Sequence, residues 1–160
     1  MFGSSPTGSH SRLKSEPGDF CAIVCYNITG MRYLVKARVK PGRNQPLLQA
    51  IKDGALGRGS IAGDEYNYDM EQARLAADGT VHWVETCFCA PPLEEERPYW
   101  EQYFELLSVK DAHNRKLCRD WNGTEPWACS NCDCTRRLED KLRQRGEGFL
   151  QKLEEDGARR

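Results

Sequence analysis

The chain lacks any apolar run long enough to cross a bilayer. Its longest, Phe20-Cys21-Ala22-Ile23-Val24-Cys25-Tyr26, falls far short of the ~20 residues that a membrane helix needs. Glu16 and Asp19 break the approach to that run, where a secretory leader would carry basic residues and a longer apolar core. Neither charge is in excess, since 23 Lys and Arg face 24 Asp and Glu for a net −1. Without a basic field, neither a nucleic acid nor an anionic membrane is expected as a partner. Histidine is scarce too, limited to His10, His82 and His113. That argues against catalytic zinc, which keeps an open position and usually draws on histidine or carboxylate. No Ser-His-Asp pattern or nucleophile elbow is visible, and no catalytic residue is assigned. Together these absences predict a cytoplasmic protein, in a compartment where thiols stay reduced.

Cysteine is what the chain does have. Six of its eight cysteines fall in three places: Cys87-Phe88-Cys89, Cys118, and Cys129-Ser130-Asn131-Cys132-Asp133-Cys134. In a reducing compartment, grouped cysteines more often bind metal or do redox chemistry than form structural disulfides. The Cys129-x-x-Cys132 spacing is common to zinc and iron–sulfur sites. The expected metal ligands are therefore Cys87, Cys89, Cys118, Cys129, Cys132 and Cys134. Zinc is the first expectation, with an iron–sulfur cluster as its alternative. Cys21 and Cys25 lie in a doubtful N-terminal segment and are left out of the site.

Periodicity predicts an α+β fold. Tyr33, Val35, Ala37 and Val39 alternate with Lys36, Arg38 and Lys40, the pattern of a strand with one buried face. Asn44, Pro46 and the stripe of Leu47, Leu48 and Ile51 predict a helix near residues 45–53. The glycines from Gly54 to Gly63 match no phosphate-loop spacing and read as a connection. Residues 70–77 and 80–88 flank Asp78-Gly79, which predicts a hairpin with a type I′ turn. Trp100, Tyr103, Phe104 and Leu107 at i, i+3, i+4 and i+7 predict a second helix, followed by a short strand over 107–110. This order is that of a split βαβ (ferredoxin-like) antiparallel sheet with helices on one face. Residues 1–30 are expected to be a weakly ordered extension and 31–112 the split βαβ core. Residues 113–160 are expected to form a Cys-rich metal-binding extension ending in a helix.

The stretch from His113 to Thr135 has too little apolar content to order by burial alone. A metal would supply the missing free energy, because binding a site that exists only in the folded state is folding free energy. Strand alternation puts Cys87 and Cys89 on the face of Val81, Trp83 and Glu85, with His82 opposite. Cβ atoms two residues apart on a regular strand lie about 6.5–7 Å from each other. Two thiolates on one zinc must approach to roughly 3.8 Å, so the strand has to distort near Cys89. Glu85, the nearest candidate base, reads as an exposed sheet carboxylate.

These residues predict a zinc-stabilised interaction module that meets a protein partner, or a second copy, through the open sheet face. An iron–sulfur electron carrier is the alternative. Thiol redox catalysis, with Cys129 attacking and Cys132 resolving, is the third reading.

Overall fold

The structure is a computed structural model of the 160-residue chain and describes residues 30–114 and 133–159. Of the N-terminal extension expected over residues 1–30, residues 1–29, with Cys21 and Cys25, lie outside the described residues, as do Cys118, Cys129 and Cys132.

Strand β1 (Gly30–Val39) follows the alternation: Tyr33, Val35 and Ala37 are buried on one face. Helix α1 (Asn44–Lys52) buries Leu47, Leu48, Ala50 and Ile51. Arg43, not Asn44, takes its N-cap position, with no capping side chain. The glycine-rich connection then turns tightly. At Gly57, φ is +70° and a β-carbon would lie 2.2 Å from Cδ2 of Tyr66, so only glycine fits.

Helix α2 (Glu65–Gln72) replaces the first part of the strand expected over 70–77. Tyr66 and Met70, one helical turn apart, both reach the core. Only Arg74–Leu75 remains as strand β2. It still makes the expected hairpin with β3 (Val81–Thr86), Arg74 opposite His82 and Leu75 opposite Val81. The turn is not type I′, because Gly79 has positive φ and Asp78 does not. The Gly79 N–H donates to the Ala76 carbonyl at 3.0 Å, and the Ala76 N–H donates to the Thr80 carbonyl at 2.8 Å. This is a longer loop, a type I turn closed by a glycine bulge.

The expected second helix is a single turn, α3 (Arg97–Trp100). Phe104 and Leu107 belong instead to strand β4 (Phe104–Asn114), which begins with Phe104 opposite Val39. The apolar spacing suits either conformation at Trp100 and Phe104, which are both buried. Pairing with β1 decides, because β4 satisfies the backbone groups along an edge that a helix would leave open. Helix α4 (Cys134–Leu142), strand β5 (Glu147–Gly148) and helix α5 (Phe149–Ala158) complete the described chain.

The sheet is five-stranded and open, in the order β4-β1-β3-β2-β5, with every neighbouring pair antiparallel. Helices cover both faces, not one. Leu47, Tyr66, Met70 and Phe149 pack on the face that carries Val35 and Trp83. On the other face, Leu138 and Leu142 of α4 line a small recess with Leu34, Val84 and Ala112, the alternate residues of β1, β3 and β4. From the far end of the chain, Phe149 and Leu153 join the core of the earlier elements. At the centre of that core the rings of Trp83 and Trp100 stand 4.8 Å apart, and Phe104 lies 5.3 Å from Trp83. No helix among the described residues is long and apolar enough to cross a membrane.

Candidate metal centre

The sheet face dictates what gathers at the end of β3. Val81, Trp83 and Glu85 alternate into the core, and Cys87 follows on the same side just past the strand. There the chain bends. The Cys89 N–H donates to Sγ of Cys87 at 3.3 Å, a contact between residues two apart that an extended strand does not make. Pro91 and Pro92, which offer no backbone donors, carry the chain onward to Leu93. Leu93 is fully buried with φ at 60°, in the left-handed region that non-glycine residues rarely adopt. The turn after it returns Glu96 to the cysteines, and the Cys87 thiol donates to Oε2 of Glu96 at 3.2 Å.

Cys87, Cys89 and Glu96 are all buried, and their ligand atoms lie within 4.8 Å of one another. Burial pushes the Cys87 thiol well up, and the Glu96 carboxylate adds to this against the Cys89 N–H. Burial also raises Glu96, opposed by the hydrogen bond from Cys87. Tyr33 of β1, opposite Glu85, is pushed up to about 12 by burial, then by Asp111 and these same groups. The site therefore holds its proton tightly unless a cation takes that proton's place.

One donor pair has the spacing of a small tetrahedral cation. Zn–S near 2.3 Å and Zn–O near 2.0 Å put sulfur and oxygen about 3.5 Å apart across a tetrahedral angle. The Cys87–Glu96 separation of 3.2 Å is close to that value. Two thiolates with one carboxylate form a mixed soft and hard donor set, which suits zinc better than the hard ions magnesium or calcium.

Of the six expected ligands, the structure brings together Cys87 and Cys89. Cys134 is described and buried as the first residue of α4, where Arg137 Nη2 donates to its Sγ at 3.1 Å. It is not a member of the group of three. Yet it stands at the same end of the sheet: Thr135 accepts from buried Arg32 Nε at 2.7 Å, and Arg32 lies opposite Thr86. His113 lines a surface recess with Cys134. His82 faces away, as alternation required, with Nε2 2.8 Å from the Thr80 hydroxyl.

Two acidic residues depart from the sequence reading. Glu96 was not among the expected ligands, because the turn through Leu93 that brings it to the cysteines is announced by no pattern of residue types. Glu85 is buried, not exposed. The indole N–H groups of Trp83 and Trp100 both donate to its Oε2, at 2.7 and 2.9 Å. Burial raises its carboxyl to about 8, the Glu96 charge adding and the indoles opposing. Comparison with protein-family models, with curated proteins and with solved structures gives no match.

Proposed function

We propose that this chain is a small metal-binding protein in which Cys87, Cys89 and Glu96 hold one zinc ion that ties the end of β3 to the turn before α3. The observation that carries this reading is the convergence of three buried donor atoms within 4.8 Å of one another. Binding free energy at a site that exists only in the folded state is folding free energy, so the ion acts here as a staple for a cytoplasmic interaction module. The outer edge of β4, with Leu107 39 % exposed beside it, offers the surface for a protein partner or a second copy. Over residues 31–112 the fold is read as a split βαβ arrangement, supported by the order β4-β1-β3-β2 and its antiparallel pairing.

The proposed cysteines Cys118, Cys129 and Cys132 lie outside the described residues. Cys134, held at the same sheet end, favours the second reading, an iron–sulfur cluster that draws on more of the chain's thiols. Elemental analysis with a visible spectrum, on protein purified without oxygen or a metal-leaching column, separates the two. One zinc per chain and a colourless solution are expected, with zinc lost in Cys87→Ser and Glu96→Gln. Iron with sulfide and a brown absorbance would replace zinc by the cluster. Wild-type protein without metal would sink both.

A further inference from the structure

The small recess between α4 and the outer face of the sheet has an apolar floor, made by Leu34, Val84 and Ala112 of the strands with Leu138 and Leu142 of the helix. Its rim is cationic. Lys141 and Arg145, both exposed, complete the lining, and no acidic residue among the described residues joins them. Lys110 lies directly opposite Leu34 in the β1–β4 ladder, so it projects from the same face. Lys36, two residues on from Leu34, shares that face as well. Among the described residues the side chains of Lys110, Lys141 and Arg145 enter no hydrogen bond or ion pair, whereas Lys36 meets Asp78 at 3.4 Å. The nearby Asp140 of α4 is engaged by Arg143 at 2.9 Å. His82, opposite Lys36, feels the same field: burial, then Lys36, hold its imidazole below the ordinary 6.5, with Asp78 opposing and Arg145 adding. The negative end of a helix draws Lys141 to the last turn of α4, but Lys110 belongs to a strand and Arg145 lies beyond the helix. In a chain of net charge −1, these cations around one apolar floor concentrate a single sign.

We propose that this recess is the docking site of an acidic protein segment, which seats one aliphatic side chain on the floor and sets its carboxylates against Lys110, Lys141 and Arg145. This rests on the interaction reading above, to which it gives a partner chemistry and a face apart from the β4 edge, and it does not require the zinc. Size selects a side chain. The recess holds about 90 Å³, far below the ~300 Å³ at which small-molecule sites begin. Charge selects the sign, because cations of two strands and a helix face a segment that carries carboxylates. No Phe, Tyr or Trp lines the recess, so the stacking surface on which single-stranded nucleic acid is held is missing here.

The test titrates the isotope-labelled full chain with a blocked pentapeptide that has leucine at its centre and two glutamates on either side, followed by amide chemical shifts. Shifts at Leu34, Val84, Leu138 and Lys141 should move saturably, and the affinity should fall as salt rises. Alanine in place of the central leucine should weaken binding about tenfold, in line with loss of most of one buried aliphatic side chain. Lys141→Glu should also weaken it about tenfold. Lys52→Glu, the same change of net charge at an exposed position of α1, should weaken it by less than about twofold. Equal losses in the two variants, or indifference to the central leucine, would overturn the recess as the site. A thymidine pentanucleotide of the same charge that binds as tightly as the peptide would overturn the choice of partner. No saturable shift in the wild type would overturn the acidic partner and leave the β4 edge as the surface of the interaction reading. Zinc content of the same samples tests the metal reading separately.

Discussion

Cys89 and Cys87 are joined by a hydrogen bond from the backbone N–H of the first to the sulfur of the second, at 3.3 Å. Cys87 in turn donates to Glu96, so one thiol satisfies an amide and a carboxylate that are both buried. Cys87→Ala should destabilise the metal-free protein by about 1–3 kcal/mol, because it leaves both groups without their partner. Cys87→Ser keeps a donor and an acceptor and should lose clearly less. Urea denaturation in the presence of a chelator measures the difference, and equal losses would show that the sulfur only fills space.

Gly57 should tolerate no side chain. Its φ of +70° already disfavours L-residues, and the Tyr66 ring occupies the space of a β-carbon. Gly79 has a φ of +78° with nothing within 4 Å of that position. Gly79→Ala is therefore expected to cost about 1 kcal/mol through the backbone alone, and Gly57→Ala at least ~2 kcal/mol more through displacement of a packed ring. Matched urea midpoints would refute this account.

The two indoles on Glu85 should act as a unit. Trp100→Phe removes one donor from a buried carboxyl group while leaving an aromatic ring against Trp83, Tyr66 and Phe104. A loss of about 1–3 kcal/mol is expected. Combining it with Glu85→Ala should cost less than the sum of the two changes, because the indole has then already lost its acceptor. Strict additivity in a double-mutant cycle would count against the coupling.

Stability should fall as pH rises from mildly acidic to mildly basic. Asp69 is buried with Oδ2 lacking a hydrogen-bond partner among the described residues. Burial, then the charges of Glu85, Glu65, Glu139 and Glu96, hold its carboxyl well above the ordinary 3.8. Burial also raises Glu139 above 4.5, against a 2.7 Å hydrogen bond from the Tyr68 hydroxyl. A carboxyl raised by folding stabilises the native state most below its unfolded pKa. That contribution drains by ~1.4 kcal/mol per pH unit until the folded pKa is passed. Asp69→Asn stays neutral throughout, so it should lose less stability than wild type between about pH 5 and about pH 8. Parallel stability curves over that range would rule Asp69 out as the source.

Local periodicity made β1, α1 and β3 legible, because Tyr33, Val35 and Ala37, then Leu47, Leu48 and Ile51, state their burial at short range. It failed where two conformations bury the same residues. Trp100 and Phe104 face the core with a helix or a strand after Trp100, and only the distant pairing of Phe104 with Val39 settles the matter. Met70 reads as strand from its downstream neighbours and as helix from Tyr66. The tension between Cys87 and Cys89 was also legible, since a straight strand could not bring them together. Glu96 was not, because its place depends on a turn through Leu93 whose positive φ no pattern of residue types announces.

The Phe149 ring lies 6.1 Å from that of Phe104, and Leu153 is buried beside it in the same core. Both come from α5, which leaves the ribosome after β1, β3 and β4. A growing chain that has made β4 but not yet α5 lacks the ring that covers this side of Phe104. Closure of this kind, between segments far apart in sequence, belongs to the slower range of folding. Apolar surface that waits on a late segment is the kind that makes partly folded chains prone to aggregate.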